Sequence, residues 1–184
     1  MNLKQKNKMG SIMKSNAAVA YLNKMGNLLP TTLRDTLYLR TFAFLKIPLI
    51  FWVRPKVLEL SETTTRVLIP LNFRTKNHLG SMYFGVLATG ADCAGGLSAM
   101  KQIMESGKNV SLAFKSFHAD FLKRPEDDVV FTCTQGLEIK EFVQKVLASE
   151  ERLHMPVRIT ATCPNKFGSE PMAEFTLELS LKRK

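Results

Sequence analysis

Residues 77–105 read NHLGSMYFGVLATGADCAGGLSAMKQIME, and this stretch decides the fold. It begins with a turn, Asn77-His78-Leu79-Gly80, and continues as a long helix almost without charge. Ser81 is expected as the N-cap, because its hydroxyl can accept a hydrogen bond from an unpaired N–H of the first turn. Between Met82 and Met100 the sole carboxyl is that of Asp92, set among Gly85, Ala88, Gly90, Ala91, Ala94, Gly95, Gly96 and Ala99. A glycine inside a helix costs about 1 kcal/mol relative to alanine. Such a helix depends on tertiary support, and its small side chains let another element approach the backbone closely. A central helix wrapped by a sheet is the simplest arrangement that meets both conditions. Gly107 is placed to supply the left-handed residue that ends it.

Asp92 carries the functional question. A carboxylate among small and apolar residues is expensive to bury without a partner, and burial raises its pKa and makes it a better base. The alternative is a structural Asp bonded to backbone N–H groups or to a buried Thr.

Working outward, the C-terminal side changes to the period of strands. Val110–Leu122, Val129–Gln135, Val157–Cys163 and residues 173–182 are expected strands. The last is the clearest, with Ala173, Phe175, Leu177, Leu179 and Leu181 facing one way. A helix is expected over Glu138–Leu153, with Ile139, Phe142, Val143, Val146 and Leu147 as its apolar stripe. On the N-terminal side, Val57–Leu60 and Thr63–Leu71 are expected strands rich in β-formers. Strands grouped around a single long helix predict an α+β fold with an antiparallel sheet, not βαβ winding.

Charge divides the chain. Residues 1–56 hold ten Lys or Arg and one acid, a net +9, whereas residues 57–184 hold sixteen and fifteen, a net +1. The basic character belongs to the N-terminal segment. Residues 1–16 are Lys-rich and lack the h-region and cleavage site of a signal peptide. A short helix is expected over Ala17–Leu29. A second, capped by Thr31 or Thr32, would have Leu33, Leu37, Leu39, Phe42 and Leu45 on or near one face. The run FAFLKIPLIFWV, residues 42–53, is too short for a bilayer span of about 20 apolar residues and is broken by Lys46 and Pro48. The preferred reading is a pair of amphipathic helices packed on the domain. The sharper one is a basic element resting on an anionic membrane surface. No helix-turn-helix, zinc or aromatic–basic motif supports nucleic-acid binding. The three cysteines, Cys93, Cys133 and Cys163, are far apart, odd in number and form no CxxC, which argues against a disulfide framework or zinc site and fits a reducing compartment such as the cytoplasm. Each is expected as a small core residue. The chain divides into a basic helical extension, 1–54, and one domain, 55–184.

The element order, with Asn77-x-x-Gly80, Gly85 and Asp92, resembles the hotdog fold, and most closely the acyl-CoA thioesterases of the phenylacetate-degradation type and their uncharacterised relatives. Those proteins carry Asn, a few residues, His-Gly-Gly, then Asp seven residues after the second Gly. Here Asn77, Gly85 and Asp92 occupy the matching positions, and Tyr83-Phe84 stand where the family has His-Gly. HADFLKRP, residues 118–125, resembles the strand that follows the helix, and KIPLIFWVRP resembles the leading extension of the uncharacterised branch. The resemblance covers roughly residues 57–184.

It implies a thioester hydrolase acting on medium- or long-chain, or aromatic, acyl-CoA. Asp92 would be base or nucleophile, Asn77 would orient substrate or water, and the Gly85 N–H near the helix N-terminus would hold the oxyanion. Tyr83 and Phe84 would contact substrate, as would His118, which shares a face with Ser116 and Asp120. Lys123 and Arg124 are candidates for the CoA phosphates by charge. Phe51 and Trp52 would suit a long acyl chain. No cofactor or metal is needed for this chemistry. Gly85 and Asp92 lie two turns apart on one face, about 10 Å along the axis, so they cannot touch one carbonyl. Each site would combine Gly85 of one subunit with Asp92 of another, which predicts a homodimer, or a dimer of dimers, with antiparallel central helices. A non-catalytic acyl-CoA or fatty-acid binding module is the alternative. A dehydratase-type hotdog enzyme is disfavoured because the helix carries no His.

Overall fold

The computed structural model describes residues 30–184. The helix expected over 17–29 lies outside them. Two helices, α1 (Thr31–Lys46) and α2 (Pro48–Val53), lead into the strands β1 (Lys56–Leu60) and β2 (Thr65–Ile69). The long helix α3 spans Phe84–Glu105. It is followed by β3 (Val110–Phe121), β4 (Val129–Cys133), α4 (Gly136–Leu147), β5 (Leu153–Thr162), a single turn α5 (Pro164–Phe167) and β6 (Pro171–Arg183). All strand pairs are antiparallel, in the order β1-β2-β4-β5-β6-β3. The sheet wraps α3, which is the hotdog arrangement.

The small residues of α3 do what the sequence suggested. A Cβ at Gly90 would stand 2.3 Å from the Phe131 ring on β4, and one at Gly95 would stand 3.2 Å from Ile159 on β5. The sheet therefore lies almost on the helix backbone, and Ala91, Ala94 and Ala99 are fully buried beside it. The inner face of β6 completes the core with Phe175, Leu177, Leu179 and Leu181. Gly107 has φ 64° and closes α3, as expected of a residue that must be left-handed.

Several boundaries differ from expectation. The N-cap position of α3 is Tyr83, not Ser81, and no side chain caps it. Likewise α1 starts behind Pro30, without a Thr cap. Helix α4 ends at Leu147, six residues early, because Leu153 already pairs with Leu181 and β5 reaches further back than its alternating pattern suggested. On α1 the buried residues are Thr36, Leu39 and Ala43, with Phe42 half-buried, while Leu33, Leu37 and Leu45 are exposed. Thr36 fixes this rotation: its hydroxyl accepts from Val57 N at 2.8 Å and donates to Thr32 O at 2.8 Å. Helix α1 thus packs on β1, and α2 packs on α3.

Candidate functional site

Asp92 lies halfway along α3, partly buried, in the wall of a cavity of about 350 Å³. The cavity runs beside the C-terminal half of the helix. Gly96, Leu97, Met100 and Ile103 of α3 form one side, Val110 and Leu112 of β3 another, and Leu39 and Phe42 of α1, Ile47 between the helices and Ile50 of α2 the roof. Its walls are almost wholly apolar, and Asp92 is their one carboxyl. Phe114 and the Asp92 carboxylate both border Gly96, where a Cβ would stand 3.6 Å from the ring and 3.8 Å from Oδ1. Burial alone pushes the Asp92 carboxyl up to about 6; no charge or hydrogen bond from a described residue offsets it. Of the two readings of Asp92, the bonded structural one finds no partner among the described residues. Neighbouring Cys93 is buried, and both burial and the Asp92 charge push its thiol far up, which makes it inert. Cys133 and Cys163 are buried core residues too.

The turn ahead of α3 is organised by Asn77. Its Oδ1 accepts from Leu79 N at 2.9 Å and from Ser81 N at 3.2 Å, and its backbone N–H donates to Ser81 O at 2.8 Å. Ser81 is consumed in this turn, which is why it does not cap the helix. The side chain of Asn77 is satisfied locally and sits ahead of the helix, not beside Asp92. At the helix start, Val86 N and Leu87 N both bond to Tyr83 O, which leaves the N–H groups of Phe84 and Gly85 without a backbone acceptor among the described residues. The Tyr83 ring folds over Gly85, so close that a Cβ there would stand 2.7 Å from it, and packs against Phe84 at 4.8 Å between centroids. Both aromatic side chains are exposed.

The remaining candidates fall elsewhere. His118 pairs with Thr176 across β3 and β6, next to Ala119–Phe175. Phe175 faces the core, so His118 points to the opposite, solvent face of the sheet, away from Asp92. There its Nε2 lies 3.3 Å from Asp120 Oδ2, both side chains being well exposed. Lys123 is held by Glu170 in an exposed ion pair. Arg124 is exposed in the following turn. Phe51 and Trp52 do not line the cavity; they are 43% and 54% exposed on its outside. Of the residues that do line it from the extension, Leu39, Phe42, Ile47 and Ile50, the last three belong to the same apolar run. Their role was hidden because Pro48 breaks the run into two helices, and no single periodicity spans the break. A second depression, about 500 Å³, opens among Lys108, Asn109, Glu150, Arg183 and Lys184 at the chain's C-terminal end and holds none of these candidates. Among the described residues no group of His, Cys, Asp or Glu has the makings of a metal site.

No curated protein matches the sequence. Solved structures match the fold at low identity. A protein of unknown function from Chlorobaculum tepidum is 12% identical with a TM-score of 0.70, over 83% of this chain and 97% of that one. A Pseudomonas aeruginosa protein of unknown function, described as "Probable Thioesterase", is 19% identical with a TM-score of 0.64, over 85% and 97%. A thioesterase from Haemophilus influenzae is 13% identical with a TM-score of 0.57, over 76% and 86%. The sheet wrapped on α3 is thus the fold of proteins described as thioesterases. A family model covers residues 36–169, most of the chain from α1 to α5, and the protein belongs to that family, the domain of unknown function DUF4442.

Proposed function

We propose that the protein is a thioesterase that hydrolyses acyl-CoA thioesters with a medium or long aliphatic acyl chain. The observation that carries this reading is Asp92: a carboxyl without a partner among the described residues, with its pKa raised to about 6, in the wall of an apolar cavity. At about 350 Å³ the cavity is within the usual range of small-molecule sites, roughly 300–1,000 Å³. Its lining, aliphatic apart from Phe42, favours a flexible alkyl chain over an aromatic acyl group. The phenylacetate-type spacing of Asn77, Gly85 and Asp92 and the thioesterase descriptions of structural neighbours support the same reaction class.

In the proposed mechanism the Asp92 carboxylate takes a proton from water, and the hydroxide adds to the thioester carbonyl. The oxygen that becomes negative is held by the free N–H groups of Phe84 and Gly85 at the start of α3, where the helix dipole assists. Collapse breaks the C–S bond, and the leaving thiolate takes the proton from Asp92. Products are the fatty acid and CoA. Gly85 stands about 10 Å along the helix from Asp92, so the two act from different subunits of a dimer. Support for that assembly comes from β3, an edge strand whose inward-facing Phe117 and Phe121 remain 46% and 52% exposed, next to an exposed helix start. Arg124 is the better candidate for a CoA phosphate, since Lys123 is already paired.

One observation favours a second reading, a non-catalytic acyl-CoA binding module: the Tyr83 ring lies over Gly85, where an oxyanion would approach. Thiol release from acyl-CoAs of increasing length, with wild type beside Asp92→Asn, separates the two. Turnover that falls at least about a hundredfold in the variant supports hydrolysis by Asp92. Saturable binding without turnover supports the module. Equal turnover by both proteins contradicts the assignment of Asp92.

A further inference from the structure

Helices α1 and α2 have two apolar faces, and among the described residues only one of them is covered. Leu39, Ala43, Ile50 and Val53 are buried beneath them. On the outside, Phe44 is 63% exposed, Leu45 67%, Leu49 60% and Trp52 54%. Of the eighteen exposed large hydrophobic residues of the described chain, eight fall between Leu33 and Trp52, and of these only Ile47 also lines the cavity. Phe44 and Phe51 are in edge contact at 5.2 Å, so the apolar surface is continuous from α1 to α2. A patch of this density on a water-exposed surface marks an interaction site.

Charge selects the partner. The same stretch of chain carries Arg34, Lys46, Arg54 and Lys56, all exposed, and the only acid between Pro30 and Leu58 is Asp35, already beside Arg34 at 3.6 Å. Arg74 adds a sharper feature. Its guanidinium lies 4.8 Å from the Trp52 ring centre and 5.1 Å from that of Phe73, which is 75% exposed. It has no carboxylate partner among the described residues, and its Nε is buried without a hydrogen bond. An arginine held between two aromatic rings at the rim of an apolar face matches a phosphate in the layer between lipid headgroups and acyl chains. Among the described residues no helix is long and apolar enough to cross a membrane.

We infer that the outer face of α1 and α2, with Arg74 at its rim, docks on the surface of an anionic lipid bilayer. The face lies directly over the roof of the Asp92 cavity, but docking requires no catalysis and stands or falls separately from the proposed hydrolysis.

Trp52 is the only tryptophan of the chain, so its emission reports on this patch alone. The full-length protein is titrated with vesicles of phosphatidylglycerol and phosphatidylcholine, and with phosphatidylcholine alone, while cosedimentation is followed in parallel. Docking predicts a blue shift and sedimentation with the anionic vesicles, weakened by salt, and little of either with the neutral ones. Leu45→Glu with Leu49→Glu, both at exposed positions, abolishes binding while the circular dichroism stays unchanged. Arg74→Gln weakens binding about fivefold, the share of one basic residue near a charged surface. Three outcomes overturn the inference: no shift and no sedimentation with anionic vesicles; a blue shift with rising protein concentration and no lipid, which means that a second copy covers the patch; or lipid-free emission already blue and shielded from a soluble quencher, which means that the chain covers it itself.

Discussion

On the sheet side of α3, a Cβ at Gly90 would stand 2.3 Å from the Phe131 ring, and Ile159 presses on Gly95. Toward the cavity roofed by α1 and α2, a Cβ at Gly96 would have its nearest neighbour, the Phe114 ring of β3, at an ordinary 3.6 Å, and beside it lies a cavity whose wall holds a carboxyl without a partner among the described residues. One helix is packed tightly on one face and left hollow on the other. Close packing contributes stability, whereas a void and an unpartnered carboxylate both subtract from it. A fold selected for stability alone would have filled the cavity and replaced Asp92. The hollow side is where a function is to be sought.

Asp92→Asn tests the hollow side most severely. Under the proposed mechanism it lowers kcat/KM for acyl-CoA by about 10²–10⁴-fold. It also stabilises the fold. Because burial raises the folded-state pKa from 3.8 to about 6, ionised Asp92 weakens the native state above pH 6 and has no such cost at or below pH 3.8. Urea unfolding above neutral pH is therefore expected to show the variant roughly 2–3 kcal/mol more stable, with the advantage vanishing as the pH falls to 3.8. Activity lost together with stability would mean that Asp92 is structural.

The glycines set the two sides against each other directly. Gly90→Ala forces Phe131 to move in a filled core and is expected to cost about 1–3 kcal/mol. Gly96→Ala meets only ordinary contacts and gains helix propensity, so it is expected to be neutral or to stabilise by up to about 1 kcal/mol. Equal losses in denaturant melts would show that the hollow side is as tightly packed as the other. Phe117→Glu leaves the fold intact but places a charge on the exposed inner edge of β3; sedimentation should show a dimer become a monomer, with activity lost alongside. A monomeric, active wild type would refute the shared site. The smallest effects belong to the polar surface. Lys123→Ala, which breaks an exposed ion pair, should change stability by less than about 0.5 kcal/mol. His118→Ala, on the outer face of the sheet, should leave kcat/KM unchanged.

The same contrast separates what the sequence disclosed from what it hid. The tight side was legible because its signals are local: glycines and alanines crowded into one helix, and β6 alternating residue by residue. Asp92 was legible as the one carboxyl in an apolar stretch, but the sequence left open whether it is bonded, since that depends on which groups the fold brings to it. The cavity roof was not legible, because which half of the run from Phe42 to Val53 turns inward depends on Pro48 and on the Thr36–Val57 hydrogen bond. Ser81 misled for a related reason: its neighbour Asn77 claims it for the turn before the helix begins. His118 shares a face with Asp120, as its spacing indicates, but only the pairing of β3 with β6 decides that this face looks to solvent.

The measurement that bears most directly on the hollow side is the pH dependence of kcat/KM for a medium-chain acyl-CoA, in wild type and Asp92→Asn. The account predicts that wild-type kcat/KM rises with pH through about 6 as one group ionises and then levels, while the variant is slow and flat throughout. A wild-type profile with no inflection near that pH, or a variant that matches wild type, would contradict it.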